Sequence, residues 1–167
     1  MNTAHLHLLV NHVPVLGTLL ALALLAWAVA RRQPSRAKDA MGLLVILGIV
    51  AVGVYLTGGA AEDAVENLPG VSEGLIEAHE EAALAATIAL GVLGLMSLVA
   101  LWRYRTRPLP RWVPLAGLTG VAIVAGMMAW TANIGGQIRH SEIRGSASAV
   151  PTQEASTASP TESSRER

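Results

Sequence analysis

The sequence predicts an all-α integral membrane protein: an up-down bundle of four transmembrane helices, both termini outside the cytoplasm, with a disordered C-terminal tail. Three observations predict it. Of the 167 residues, 52% are hydrophobic and only 14% charged, with a mean hydropathy of +0.47, against about 25% charge in a soluble domain. Four apolar stretches each approach the ~20 residues that an α-helix needs to cross ~30 Å of hydrocarbon. Lys and Arg gather in two of the connections and avoid the third.

The spans cover about 8–30, 41–58, 82–102 and 112–134, so 1–145 form the transmembrane domain. Helices are forced because lipid cannot satisfy exposed backbone N–H and C=O groups. Four such segments leave too little amphipathic material to clothe a soluble core. Arg31, Arg32, Arg36 and Lys38 follow the first span, and Arg103, Arg105, Arg107 and Arg111 separate the last two. The connection between the second and third spans holds seven acids from Glu62 to Glu81 and no base. By the positive-inside rule both Arg-rich connections are cytoplasmic, and the termini lie on the opposite side. Trp27, Trp102 and Trp112 then mark the inner interface, with Tyr55 and Trp130 near the outer one. Ala28-Val29-Ala30 resembles a signal-peptidase site, but a signal peptide carries its charge before the apolar run and here the charge follows it. The first span is therefore expected to be retained. Pro69-Gly70 reads as a turn, and Ser72 as the N-cap of a helix running into the third span. The tail over 146–167 is rich in Ser, Thr, Pro and Glu, and is expected to be a disordered segment on the outer side.

Composition also excludes functions. Net charge is zero, which gives no footprint for nucleic acid. The absence of cysteine removes disulfides and iron–sulfur ligation. No charged residue lies in the middle of a span, which argues against a transporter. No nucleophile–base constellation can be read, so catalysis is not expected.

The two halves share a plan. His12 opens the first helix and His79 precedes the third, and each return helix ends in a Gly pair, Gly58-Gly59 and Gly135-Gly136. This suggests two hairpins related by a pseudo-two-fold along the membrane normal, with the first and third helices diagonal. Thr87/Gly91, Ala122/Gly126 and Ala125/Ala129 are small-xxx-small pairs that let helices approach closely.

All five histidines, His5, His7, His12, His79 and His140, fall on the outer side. His5 and His12 share one helix face, and His7 points roughly the other way. Pro14 removes the hydrogen bond to Val10 and can kink the helix there. At ~1.5 Å per residue, His12 lies ~28 Å and His5 ~39 Å above Arg31, while His79 lies ~36 Å above Arg103 and His140 ~43 Å above Arg111. Depth therefore pairs His5 with His79. Two ligand chemistries fit this set. A haem b could take His12, His79 and His140, with His5 as substitute and Arg139 clamping a propionate. Copper or zinc could draw on His5, His7, His12, Glu62, Glu66 and His79, since imidazole with carboxylate suits those ions. A proton or quinol site would use the same acids and bases. The plain alternative is that each ring only hydrogen-bonds headgroups or loop carbonyls.

The opening His5-Leu6-His7-Leu8-Leu9-Val10-Asn11-His12-Val13-Pro14 and the closing Gly135-Gly136-Gln137-Ile138-Arg139-His140 resemble the two end motifs of a family of small bacterial four-helix predicted membrane proteins, a domain of unknown function. The likeness spans roughly 5–140, and it departs at Asn11, where relatives often have Val, and at Ser141, where they have Gly. Relatives are sometimes joined to Rieske-type domains. The resemblance implies a multi-pass protein of the bacterial inner membrane in a respiratory setting. The expectation is an outward-facing histidine site binding haem b or a metal ion for electron transfer, with the bilayer, a respiratory or other membrane protein, or a second copy as partner. The alternative is a non-catalytic accessory or assembly subunit.

Overall fold

The structure, a computed structural model, describes residues 3–144. Helix α1 covers Thr3–Val10, α2 His12–Ala30, α3 Pro34–Leu56, α4 Gly58–Asp63, α5 Glu73–Arg103 and α6 Trp112–Arg139, with one 3₁₀ turn at Ser141–Ile143. Four helical stretches, counting α1 and α2 as one, are long and apolar enough to cross a membrane. The chain is a multi-pass membrane protein built as a four-helix bundle. The tail expected over 146–167 lies outside the described residues.

Local chemistry sets the ends of each helix. The first span is interrupted at Asn11, one residue after Val10, whose carbonyl Pro14 deprives of its usual intrahelical donor. Helix α2 stops in a Schellman turn: Gln33 N–H reaches Ala28 O at 2.9 Å and Arg32 N–H reaches Val29 O at 3.1 Å. Arg32 occupies the left-handed position (φ 52°) that glycine usually fills. Pro34 then opens α3 at its first turn, where a missing N–H costs nothing. Leu68–Val71 form the expected turn, with Gly70 at φ 81° after Pro69 and Val71 N–H bonded to Leu68 O. Ser72 is the N-cap of α5, but its side chain makes no capping bond. Helix α5 has 31 residues, ~46 Å of rise, so its first turns project beyond the apolar span.

Packing runs in a ring. Helix α3 lies against α2 and α5, and α6 closes the circle against the same two, which leaves α2 and α5 diagonal as the repeat predicts. The buried stripe of α2 is Pro14, Thr18, Ala21, Leu25 and Ala28, while Leu16, Leu19 and Leu20, with Leu8 of α1, face outward. Apart from Leu25 the inward positions of α2 are small or compact, because lipid solvates leucine well and helix contact is won by close approach. The tightest crossing is α3 on α5. A Cβ at Gly94 would stand 3.0 Å from Leu44 O, and one at Gly48 would stand 3.3 Å from Leu90 O. The small pairs named from sequence behave differently. Gly91 borders the crossing with its Cα, whereas Ala122, Gly126 and Ala129 lie on the exposed side of α6.

Contacts define two ends. At one, His7 meets Thr57 and Arg144 meets Gly70. At the other, Lys38 meets Tyr104 and Arg107. We call these the His end and the Arg end.

Candidate functional site

His7 and His79 extend the buried stripes of their helices by one heptad. On α1–α2 the positions His7, Pro14, Ala21 and Ala28 are seven apart, and on α5 so are His79, Ala86, Leu93 and Ala100. Residues seven apart in a helix share a face. Both rings are therefore turned inward and are only partly exposed, whereas His5, His12 and His140 are exposed. Sequence reasoning grouped His5 with His12 on one face and preferred His12 as a ligand, without fixing which face turns inward. The signal that would have fixed it is the small-residue stripe from Pro14 to Ala28, which points to His7.

Each ring is held by its Nδ1. His79 Nδ1 lies 3.0 Å from Thr131 O. A carbonyl only accepts, so Nδ1 carries the proton and donates it. His7 Nδ1 lies 3.0 Å from Thr57 Oγ1 and 3.2 Å from Val54 O. The Thr57 hydroxyl donates its own proton to Val54 O at 2.7 Å, so His7 again donates from Nδ1. In the neutral ring, both histidines then keep a lone pair on Nε2. This is the tautomer found where imidazoles bind metals, with the other nitrogen tied to a carbonyl.

Gly135 makes room for the His79 ring, while Gly58 only borders the His7 ring. A Cβ at Gly135 would come within 2.9 Å of His79 Cε1, and one at Gly58 within 3.8 Å of His7 Cε1. The repeat is thus carried by His7 with Gly58 and His79 with Gly135, and His12 is not the partner position. One turn along the His7 face, Asn11 Oδ1 is buried with no hydrogen-bond partner, an arrangement that costs ~1–3 kcal/mol.

The other expected ligands lie apart from this pair. His140 Nδ1 pairs with Glu142 Oε1 at 2.8 Å, both side chains about two-thirds exposed. Glu142's own backbone N–H, then His140 and Arg144, hold its carboxyl below the usual range. Arg139 is exposed, and it is Arg144 that ties the helix end, donating to Gln137 O, Ile138 O and Gly70 O. Glu62 belongs to α4; partial burial, then the charges of Glu80, Glu66 and Asp63, push its carboxyl up. Among the described residues no three His, Asp or Glu side chains gather as a metal-ligand group. The six-residue metal set therefore does not form a ligand group among the described residues.

No family model, curated protein or solved structure matches this chain.

Proposed function

We infer that the chain is an electron-transfer module of the bacterial inner membrane, with its Arg end cytoplasmic, in which His7 and His79 hold the iron of a haem b. The observation that carries this reading is the pair itself. Two imidazoles from equivalent places in two hairpins have Nδ1–H tied to backbone or hydroxyl oxygen, which leaves Nε2 as the available donor. A structural zinc asks for four protein ligands and a catalytic one for three. Haem iron needs only two axial side chains, which is the number this site offers. Bound there, haem would supply one-electron chemistry. The chain's own residues fix ring orientation through Thr57, Val54 and Thr131, and Gly135 clears space for the His79 ring. The reading keeps His79 from the sequence-based ligand set and replaces His12 and His140 with His7. The partner of such a module is a respiratory or other membrane protein.

The test is the visible spectrum of detergent-purified, dithionite-reduced protein, with iron, copper and zinc measured by elemental analysis. A Soret and α-band should be lost in His7→Ala and His79→Ala and kept in His12→Ala and His140→Ala. Absence of bands and of iron would sink the reading, as would a spectrum that survives His79→Ala.

One observation favours a second reading, an accessory or assembly subunit. Helix α6 leaves Ala122, Gly126 and Ala129 exposed, and a Cβ at Gly126 would meet nothing within 4 Å. Such a strip would accept another helix. Under this reading Gly126→Leu abolishes partner co-purification while the histidine variants do not.

A further inference from the structure

The Arg end carries charge that the protein does not neutralise. Four cations lie between 31 and 38 and four more between 103 and 111, against a single acid, Asp39. Among the described residues only Arg36 has a carboxylate within 4 Å, that of Asp39 at 3.7 Å. The guanidinium of Arg103 lies 5.5 Å from the Tyr104 ring and has no acid beside it. Directly below, α5 and α6 enclose a cleft of about 460 Å³, walled by Leu93, Met96, Ala100 and Ala116, with Arg103 and Trp112 also lining it. Met96 and Trp112 are 61% and 65% exposed, so the cleft opens sideways onto whatever surrounds the bundle.

We propose that this cleft binds an anionic glycerophospholipid, one acyl chain lying between α5 and α6 and the headgroup phosphate resting on Arg103. The cleft's volume falls within the ~300–1,000 Å³ typical of small-molecule sites. Its walls are apolar along the length of the helices and turn cationic only where they end, which is the polarity of a lipid read from tail to head. Trp112 at the rim suits the headgroup boundary. A second hollow of about 350 Å³ sits at the same end, lined by Ser35, Lys38, Arg105 and Arg107 among others. It extends the donor-rich surface beyond Arg103 and would take the glycerol or second phosphate of a larger headgroup. Basic pockets between membrane helices select anionic headgroups in this way. The site is separate from the histidine pair and stands whether or not that pair binds haem.

The experiment uses the full chain carrying Trp27→Phe, Trp102→Phe and Trp130→Phe, so that Trp112 alone fluoresces. Brominated phosphatidylglycerol or brominated phosphatidylcholine is titrated into vesicles as quencher. Half-maximal quenching is expected at a mole fraction about fivefold lower for phosphatidylglycerol, the ratio one favourable cation–phosphate contact produces. Arg103→Gln should bring the two curves together. Ala116→Leu, which fills the cleft from an exposed position, should weaken quenching by both lipids. Arg36→Gln, at the same end but paired with Asp39, should leave the preference intact. The proposal is overturned if the two lipids quench alike in the parent protein. It is also overturned if folded Arg103→Gln keeps the preference, or if Arg36→Gln removes as much of it, which would mark general surface charge instead of a site. Should Arg103→Gln fail to fold by circular dichroism, the parent ratio and Ala116→Leu decide the matter.

Discussion

The two ends of the bundle are closed by the same kind of bond made with different side chains. At the Arg end Lys38 donates from α3 to Tyr104 O at 2.6 Å and Arg107 O at 3.1 Å, capping the exit of α5. At the His end His7 donates to Val54 O in the last turn of α3, and Arg144 to the last carbonyls of α6. Both ends thus bring side-chain donors to carbonyls at or just beyond helix ends, where the regular ladder stops, although Val54 O and Tyr104 O also accept the backbone N–H of Thr57 and Arg107. The difference lies in what remains afterwards. An ammonium that caps a carbonyl has only further donors to offer, whereas an imidazole keeps an unused acceptor on its far side. His79 sharpens the contrast, because Thr131 lies within the body of α6 and its carbonyl is not at a helix end. A histidine there does more than closure requires.

The largest expected effect lies midway between the ends and should disturb both alike. Gly94→Val forces side-chain atoms against the Leu44 carbonyl, and we expect a loss of about 3 kcal/mol or more in detergent unfolding. A merely local change at one end would show that the ends do not share one body. Next come the caps. Lys38→Met should cost about 0.5–1.5 kcal/mol, since Tyr104 O keeps the Arg107 N–H and Arg107 O is exposed to other donors. His79→Ala should cost about 1–2 kcal/mol, and His79→Asn, whose amide can still reach Thr131 O, should restore most of that without restoring a haem spectrum. Recovery of the spectrum in the Asn variant would break the distinction between closure and ligation.

The paired glycines should respond unequally. Gly135→Ala places a methyl 2.9 Å from His79 and should cost about 1–2 kcal/mol, while Gly58→Ala makes an ordinary 3.8 Å contact with His7 and should change stability by less than about 0.5 kcal/mol. Equal effects would mean the rings are not seated as described. The smallest effect is Glu62→Gln. A carboxyl raised in the folded state is strained while ionised, so the unfolded state tolerates that charge better. Neutralising it should add a little stability at neutral pH, under about 0.5 kcal/mol for so open a group. The advantage over the parent should vanish as pH falls through the raised pKa, because the parent then takes up its own proton. An advantage that instead grows on acidification would reverse the sign and refute the assignment.

Much of the architecture could be read directly. Hydropathy located four helices because lipid permits no other backbone solution, and Pro14 and Pro69-Gly70 marked an interruption and a turn. Helix limits were less legible. Ser72 marked the start of α5 correctly, but the second span was begun at 41 and the last ended at 134 where apolar residues ran out, whereas α3 starts at Pro34 and α6 continues to Arg139, because a helix persists into water once its first turns are nucleated. The site was legible as a chemistry and not as a geometry. Counting histidines on one side and ranking them by depth gave His12, His79 and His140, with His5 as substitute. Depth says nothing about which way a ring faces. Facing was encoded in the spacing of small residues, an inverted pattern in which the least apolar stripe marks the interior. The Gly48–Gly94 crossing went unread for a related reason. The two glycines lie on different helices, and neither belongs to the small-xxx-small pairs picked from one chain segment.

The outward leucines of α2 have a practical meaning. The instructions that set interhelical distance are written in the smallest side chains, Ala21, Gly48 and Gly94 among them, while Leu8, Leu16 and Leu20 answer only to the surrounding medium. Exchanging that outer coat for Glu, Lys and Gln should therefore leave the skeleton's dimensions unchanged and yield a water-borne replica. One extra methyl at Gly94 should undo either version.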